Sequence, residues 1–276
     1  MNGADKGIAH EKIAGGGTGD GKILEVRNLN VHLNTRDGRL HVVRDVSFAL
    51  GSGETLVTVG ESGCGKSMTA RALMRLLPDE AAEVPGSSRI LYRGRDLLRL
   101  TEREMQRVRG RSLAMVFQDP STSLDPTLTI GEQVEETLLL HTRLRGPERR
   151  LRVLEMLHAV GISSPETRMR QYPHELSGGM RQRVMIASAL VGTPRVLIAD
   201  EPTTALDVTT QADILDLIRE LQRRFDLSVL LVTHDLGVAS EVGDRIQVMY
   251  AGEILESAPK RELLLRPAHP YTWALL

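Results

Sequence analysis

The sequence predicts an α/β fold in which a parallel sheet, covered by helices on both faces, is interrupted by a helical insertion. Three observations carry that prediction. Continuous apolar runs at Thr55-Leu56-Val57-Thr58-Val59, Val196-Leu197-Ile198-Ala199 and 229–233 have the length of buried strands and alternate with helical patterns. A glycine-rich stretch from Gly60 to Gly65 joins the first run to a helix. Between the first run and the second, Ile130 to Ala159 reads as helix throughout. With 276 residues the chain is near the upper limit for one hydrophobic core, so one domain carrying an inserted subdomain is the expected arrangement.

The elements follow in chain order. Residues 1–22 are polar and glycine-rich (GGGTGDG over 15–21), without the apolar core of a secretory signal, and read as a flexible tail. From Ile23 to Leu33 apolar residues largely alternate, and Val46, Phe48 and Leu50 repeat the pattern before a turn at Gly51-Ser52-Gly53. After the glycine loop, Ala70, Leu73, Met74 and Leu77 fall on one helical face, with Pro78 following. Pro147 stands near a helix start in the middle region and Gly161 at a helix end. Residues 141–183 hold nine Arg against four Glu, which reads equally as a solvated helical face or as a partner-binding surface. Ile214, Leu217, Ile218, Leu221 and Phe225 form a helical stripe, and 245–255 reads as a hairpin turning at Ala251-Gly252.

Composition excludes several functions. Lys plus Arg is 35 and Asp plus Glu is 36, a net charge of −1, and aromatics are 3%; neither suits a nucleic-acid binder held by phosphate charge or base stacking. The single cysteine, Cys64, can form no internal disulfide, and no Cys/His group has zinc spacing, so a reducing compartment is expected. No apolar run reaches the roughly 18 residues of a membrane span. Of the basic residues 30 are Arg and 5 are Lys, and Lys66 is the only lysine between Lys22 and Lys260.

Lys66 lies in Gly60-Glu61-Ser62-Gly63-Cys64-Gly65-Lys66-Ser67, which fits G-x-x-x-x-G-K-[ST] between a strand and a helix. Glycines there let backbone N–H groups converge on phosphate oxygens, and the helix start adds positive potential. Lys66 is expected to reach the β- and γ-phosphates and Ser67 to bind Mg²⁺, with Met68 completing the nucleotide-binding run. A compact ammonium in a chain that otherwise uses arginine points to a need for a point charge. Cys64 reads either as a reactive thiol at a helix N-terminus or as a small residue the loop tolerates. Further on, Asp200 and Glu201 end a buried strand, where ligands of α/β sheets bind. Asp200 is expected to hold Mg²⁺ through water and Glu201 to orient or deprotonate an attacking water.

Leu176-Ser177-Gly178-Gly179-Met180-Arg181-Gln182 resembles the signature motif of ABC-transporter ATPases. Gln118 in Val116-Phe117-Gln118-Asp119-Pro120 resembles their Q-loop glutamine, Ala205-Leu206-Asp207 their D-loop and His234 their switch histidine. The resemblance covers residues 23–276. It implies a P-loop NTPase (RecA-like) core with an antiparallel β subdomain and an inserted α-helical subdomain. The parts would be a core over 23–120 and 183–255, a helical signature subdomain over 121–182, and a C-terminal tail over 256–276. It also implies that ATP and Mg²⁺ are bound, that Ser177, Gly178, Gly179 and Asp207 meet the nucleotide of an opposite subunit, that Gln118 touches Mg²⁺ or the attacking water, and that His234 contacts the γ-phosphate. Such ATPases commonly stack adenine on an aromatic residue, but Thr35 to Arg44 contains no Phe, Tyr or Trp, and His41 is the weak substitute.

Tyr172-Pro173-His174-Glu175, Val248-Met249-Tyr250-Ala251-Gly252 and His269-Pro270-Tyr271-Thr272 resemble the dipeptide/oligopeptide/nickel importer branch. Met180 and Thr203-Thr204-Ala205 look like the first of its two ATPase subunits. That resemblance implies a second related ATPase subunit, two transmembrane permease subunits, an extracytoplasmic substrate-binding protein, no nucleic acid, and a peripheral place on the cytoplasmic face of the cell membrane. Dipeptides or oligopeptides lead as substrates. Nickel, glutathione or oligosaccharides, a weakly catalytic nucleotide-binding partner subunit, and a non-transport ABC ATPase are the competing readings.

Overall fold

A computed structural model describes residues 21–36, 38–78, 81–204 and 206–276. The tail expected over 1–22 therefore lies outside the described residues except for its last two. The chain opens with β1 (Lys22–Thr35), β2 (Gly38–Gly51), β3 (Thr55–Val59), α1 (Lys66–Leu73), β4 (Ala82–Glu83), β5 (Arg89–Tyr92), β6 (Arg95–Asp96), α2 (Glu102–Val108) and β7 (Leu113–Val116). A run of helices follows: α3 (Pro120–Ser123), α4 (Ile130–His141), α5 (Gly146–Ala159), α6 (Pro165–Arg168) and α7 (Gly178–Leu190). Strands then resume as β8 (Val196–Asp200), α8 (Val208–Phe225), β9 (Ser228–Thr233), α9 (Leu236–Val242), β10 (Arg245–Tyr250), β11 (Glu253–Pro259), α10 (Lys260–Leu265) and α11 (Pro270–Leu275). No helix among the described residues is long and apolar enough to cross a membrane.

The strands sort into two sheets. One is antiparallel, ordered β2-β1-β5-β6 with β4 beside β1. The other runs β11-β10-β3-β9-β8-β7, parallel from β10 to β7 and closed by the antiparallel β11. Strand period divides the parallel sheet's side chains between two cores. Leu197, Ala199, Val229 and Leu231 face α4, α5, α7 and α8. Val196, Ile198, Leu230 and Val232 face α1, α2 and the antiparallel sheet. Parallel strands share a direction, so the segments after β3, β7, β8 and β9 gather along one edge of the sheet.

Two local outcomes depart from the sequence pattern. The stripe through Leu77 predicts a longer first helix, but α1 stops at Leu73 and Arg75 turns to a left-handed φ of 50°. Arg109 holds that turn, donating to the Met74 carbonyl at 2.8 Å and to the Arg75 carbonyl at 3.0 Å. β7, which forms the far edge of the parallel sheet, carries no strand signal in Leu113-Ala114-Met115-Val116, because these residues other than Val favour helix. Three of the arginines of 141–183 bond within the helical region. Arg149 donates to Glu135 at 2.6 Å and to the Leu144 carbonyl at 2.7 Å, Arg183 to the Val160 carbonyl at 2.8 Å and Arg181 to the Leu176 carbonyl at 3.2 Å. They tie helix ends and loops of the helical region together.

Candidate functional site

The loop after β3 bends against its surroundings too closely for side chains. A Cβ at Gly60 would lie 2.1 Å from the Met249 carbonyl oxygen, and one at Gly65 would lie 2.6 Å from that of Val42, at a φ of +107°. α1 begins directly after Gly65, so its first amides open into the loop. Lys66 is 3% exposed and its Nζ donates to the Gly60 and Glu61 carbonyls, both at 2.8 Å. Ser67 Oγ donates to Asp200 Oδ1 at 2.8 Å. The Met68 side chain is partly buried and packs on the core beneath the antiparallel sheet. Burial pushes the Cys64 thiol up from its ordinary value, with Lys66 opposing, which favours the tolerated small residue over the reactive thiolate.

Glu201 is the point of convergence. Its amide donates to the Val232 carbonyl at 2.9 Å, carrying the β8–β9 pairing one residue past the strand, and its φ is +48°. A left-handed non-glycine residue is uncommon and is held only where its surroundings over-determine it. Here Gln118 Nε2 donates to Glu201 Oε2 at 3.1 Å, Thr204 Oγ1 donates to the same oxygen at 2.9 Å, and His234 Nδ1 lies 3.2 Å from it. The other oxygen stands 3.9 Å from Lys66 Nζ. Each partner is positioned by a strand end. Phe117 packs between both cores and carries Gln118 out of β7. His234 sits between β9 and Asp235, which caps α9 through the Gly237 and Val238 amides. Thr204 stands in the sequence only as part of Thr203-Thr204-Ala205, a mark of the subunit type, and its place at the Glu201 carboxylate is not read from the motif.

Asp200, 1% exposed, has its carboxyl pushed up by burial, with the Ser67 hydroxyl and Arg71 pulling against that. A buried carboxylate and a hydroxyl at 2.8 Å are hard oxygen donors that fit Mg²⁺, with Gln118 near the same carboxylate pair. No three His, Cys, Asp or Glu side chains gather as a metal cage among the described residues. The donor set thus suits an ion that shares its coordination with phosphate oxygens and water.

The remaining motif residues assemble elsewhere. Ser177 is the N-cap of α7, accepting the Met180 amide at 3.3 Å, and Gly178 and Gly179 form the helix's first turn. Gly179 lies against Thr210 and Gly178 against Leu206. Asp207 caps α8, accepting the Thr210 amide at 3.0 Å and its hydroxyl at 2.8 Å, contacts that hold its carboxyl below the ordinary range. Among the described residues no hydrogen bond or ion pair joins Ser177, Gly178, Gly179 or Asp207 to the phosphate loop; Ala205 is outside the described residues. His41, expected to meet the base, stacks instead on His32, with centroids 4.1 Å apart, and its Nε2 meets Asn30 Oδ1 at 2.9 Å.

Comparison with known proteins agrees with this geometry. Residues 43–204 match a family model described as "ABC transporter". The dipeptide transport ATP-binding protein DppD of Bacillus subtilis is 52% identical over 255 residues, covering 92% of this chain and 76% of that protein. The oligopeptide transport ATP-binding protein OppD of the same organism is 50% identical over 258 residues, covering 92% of this chain and 71% of that protein. Among solved structures, a dimeric ATP-binding cassette in a post-hydrolysis state, bound to ADP and Pi, superposes with a TM-score of 0.76 at 30% identity, over 86% of this chain and 99% of that one.

Proposed function

The chain belongs to the ABC transporter family, and from that premise we propose that it is the ATP-binding and hydrolysing subunit of a peptide importer. One observation carries the chemistry: the Glu201 carboxylate, at the end of β8, takes Gln118, Thr204 and His234 on one oxygen and faces Lys66 of the phosphate loop with the other. Phosphoryl transfer asks a protein for position and charge more than for covalent chemistry. The amides of Gly60 to Ser67, including those of Glu61, Ser62, Gly63 and Cys64, cradle the phosphates. Lys66 exchanges its loop carbonyls for the β- and γ-phosphates. Glu201 orients the attacking water and accepts its proton as the oxygen bonds to the γ-phosphorus, whose bond to the β–γ bridging oxygen breaks and leaves that oxygen on ADP. Gln118 fixes that water, and His234 donates to the γ-phosphate. Ser67, Asp200 and Gln118 are the residues that would hold Mg²⁺. The ion would neutralise charge on the β- and γ-phosphates.

Ser177, Gly178, Gly179 and Asp207 form a cluster of their own, which supports a composite site in which each subunit's signature helix closes on the other's nucleotide. The partner is a second, related ATPase subunit. The pair docks on two transmembrane permease subunits at the cytoplasmic face of the membrane, with peptides delivered by an extracytoplasmic binding protein. The dipeptide and oligopeptide transport proteins among the relatives support that substrate class over nickel, glutathione or oligosaccharides. Glu201→Gln in the assembled transporter should lower ATP turnover by about 10²–10⁴-fold, the range for a positioned general base. Turnover near wild type would remove Glu201 from that role.

A further inference from the structure

The buried half of the phosphate loop, Cys64 to Lys66, is held from a turn near the other end of the chain. β10 and β11 join through Ala251, at a φ of +47°, and Gly252, at a φ of +89°. The Gly252 amide donates to the Cys64 carbonyl at 2.9 Å, and the Gly252 carbonyl accepts the Arg44 amide of β2 at 2.8 Å. One residue thus ties the loop to the antiparallel sheet. The fit leaves no room for a side chain: a Cβ on Gly252 would lie 2.8 Å from the Val42 carbonyl oxygen, and one on Gly65 would lie 3.5 Å from the Gly252 Cα. The Cys64 carbonyl and the Gly65 N–H belong to one planar trans peptide, so they point in opposite directions. Anchoring the carbonyl on Gly252 therefore turns the Gly65 N–H away from the turn. That N–H belongs to a buried residue and has no hydrogen-bond partner among the described residues, a costly state for a donor until an acceptor is bound.

Resting on the ATPase reading, we propose that Gly252 is a positioning residue for nucleotide binding: its backbone fixes the Cys64–Gly65 peptide so that the Gly65 amide is aimed at a phosphate oxygen. Amides that must converge on one anion lose affinity to every peptide left free to rotate. Gly252 removes that freedom from one peptide plane. Its own position is fixed on one side by Arg44 and on the other by β10. Tyr250 steadies the strand end from which the turn departs, its ring lying on that of Tyr271 with centroids 4.6 Å apart.

MgADP binding to the full chain, well below its unfolding temperature, is the first measurement. Gly252→Ala sets a Cβ against the Val42 carbonyl and pushes the turn off Cys64, and should weaken binding by about three- to tenfold, the range of one modest hydrogen bond. Tyr250→Gly, at an exposed position outside the core, frees the backbone ahead of the turn and should weaken binding by about two- to fivefold. Tyr250→Phe keeps the ring and should keep wild-type affinity. Arg245→Ala loosens the same strand at its other end, and should lower thermal stability while leaving MgADP binding within about twofold. In the assembled transporter Gly252→Ala should raise KM for ATP by the same factor as the MgADP loss and leave kcat within about twofold. Wild-type MgADP affinity in Gly252→Ala, or in Tyr250→Gly should the first variant not fold, overturns the proposal and leaves the ATPase reading standing. An equal loss of affinity in Arg245→Ala also overturns it, since general loosening would then account for the effect. A wild-type chain that binds no MgADP overturns both.

Discussion

At the residue scale, the site is a contest over two carboxylates. Burial raises the Asp200 pKa above its ordinary 3.8, so the folded chain holds this proton more tightly than the unfolded chain. Its contribution to stability is greatest below that ordinary value and falls as pH rises through the raised one. At neutral pH the buried charge is a cost, which the Mg²⁺ proposed to bind here would offset. Asp200→Asn keeps an acceptor for Ser67 and removes the charge. It should raise the nucleotide-free melting temperature by about 2–4 °C, roughly 1 kcal/mol for a chain of this size, while abolishing Mg²⁺-dependent turnover. An unchanged or lower melting temperature at pH 7.5 would contradict the burial argument. Thr204 sharpens Glu201 in a different way. Thr204→Val removes one of three partners on Oε2, and kcat should fall about tenfold, near 1.4 kcal/mol, with KM for ATP unchanged. Thr204→Ser should restore the rate, because only the hydroxyl is needed.

At the element scale, helix caps double as motif residues. Ser177 is read from sequence as a phosphate contact, yet within one chain its hydroxyl closes the start of α7. Ser177→Ala should therefore cost about 1 kcal/mol of stability, seen as a lower melting temperature, while MgADP binding by the single chain is unaffected. Weaker binding in the isolated chain would contradict the separation of the signature helix from its own phosphate loop. Elements were unevenly legible. β3, β8 and β9 were plain because strands buried on both faces must be apolar throughout. β7 was not, because its residues favour helix and only the neighbouring β8 makes them a strand. The end of α1 was misjudged because Arg109, on a distant segment, supplies the carbonyl contacts that stop it.

At the scale of the whole molecule, an ion pair helps tie the two sheets together. Arg245 on β10 pairs with Glu54 at 2.7 Å and donates to the Ala49 carbonyl, and Glu54 also accepts the Gly51 amide at 2.6 Å. Asp244 accepts the Thr55 amide at 2.8 Å on the same connection. Arg245→Ala should cost about 1.5–3 kcal/mol, read as a lower urea midpoint at unchanged slope; a changed slope would mean that the sheets unfold separately. The sequence by itself determined the apolar strands, the phosphate loop and the motifs from Gln118 to His234, since each is written in residues close together along the chain. It also placed Tyr271 in a motif, without a task. Only the tertiary structure decided that Gln118, Thr204 and His234 share one oxygen of Glu201, that His41 stacks on His32, and that Tyr271 of the C-terminal helix packs its ring on Tyr250. The physical reason is strand order. β3, β7, β8, β9 and β10 lie apart in sequence, and hydrogen bonding into one parallel sheet brings their ends to a common edge.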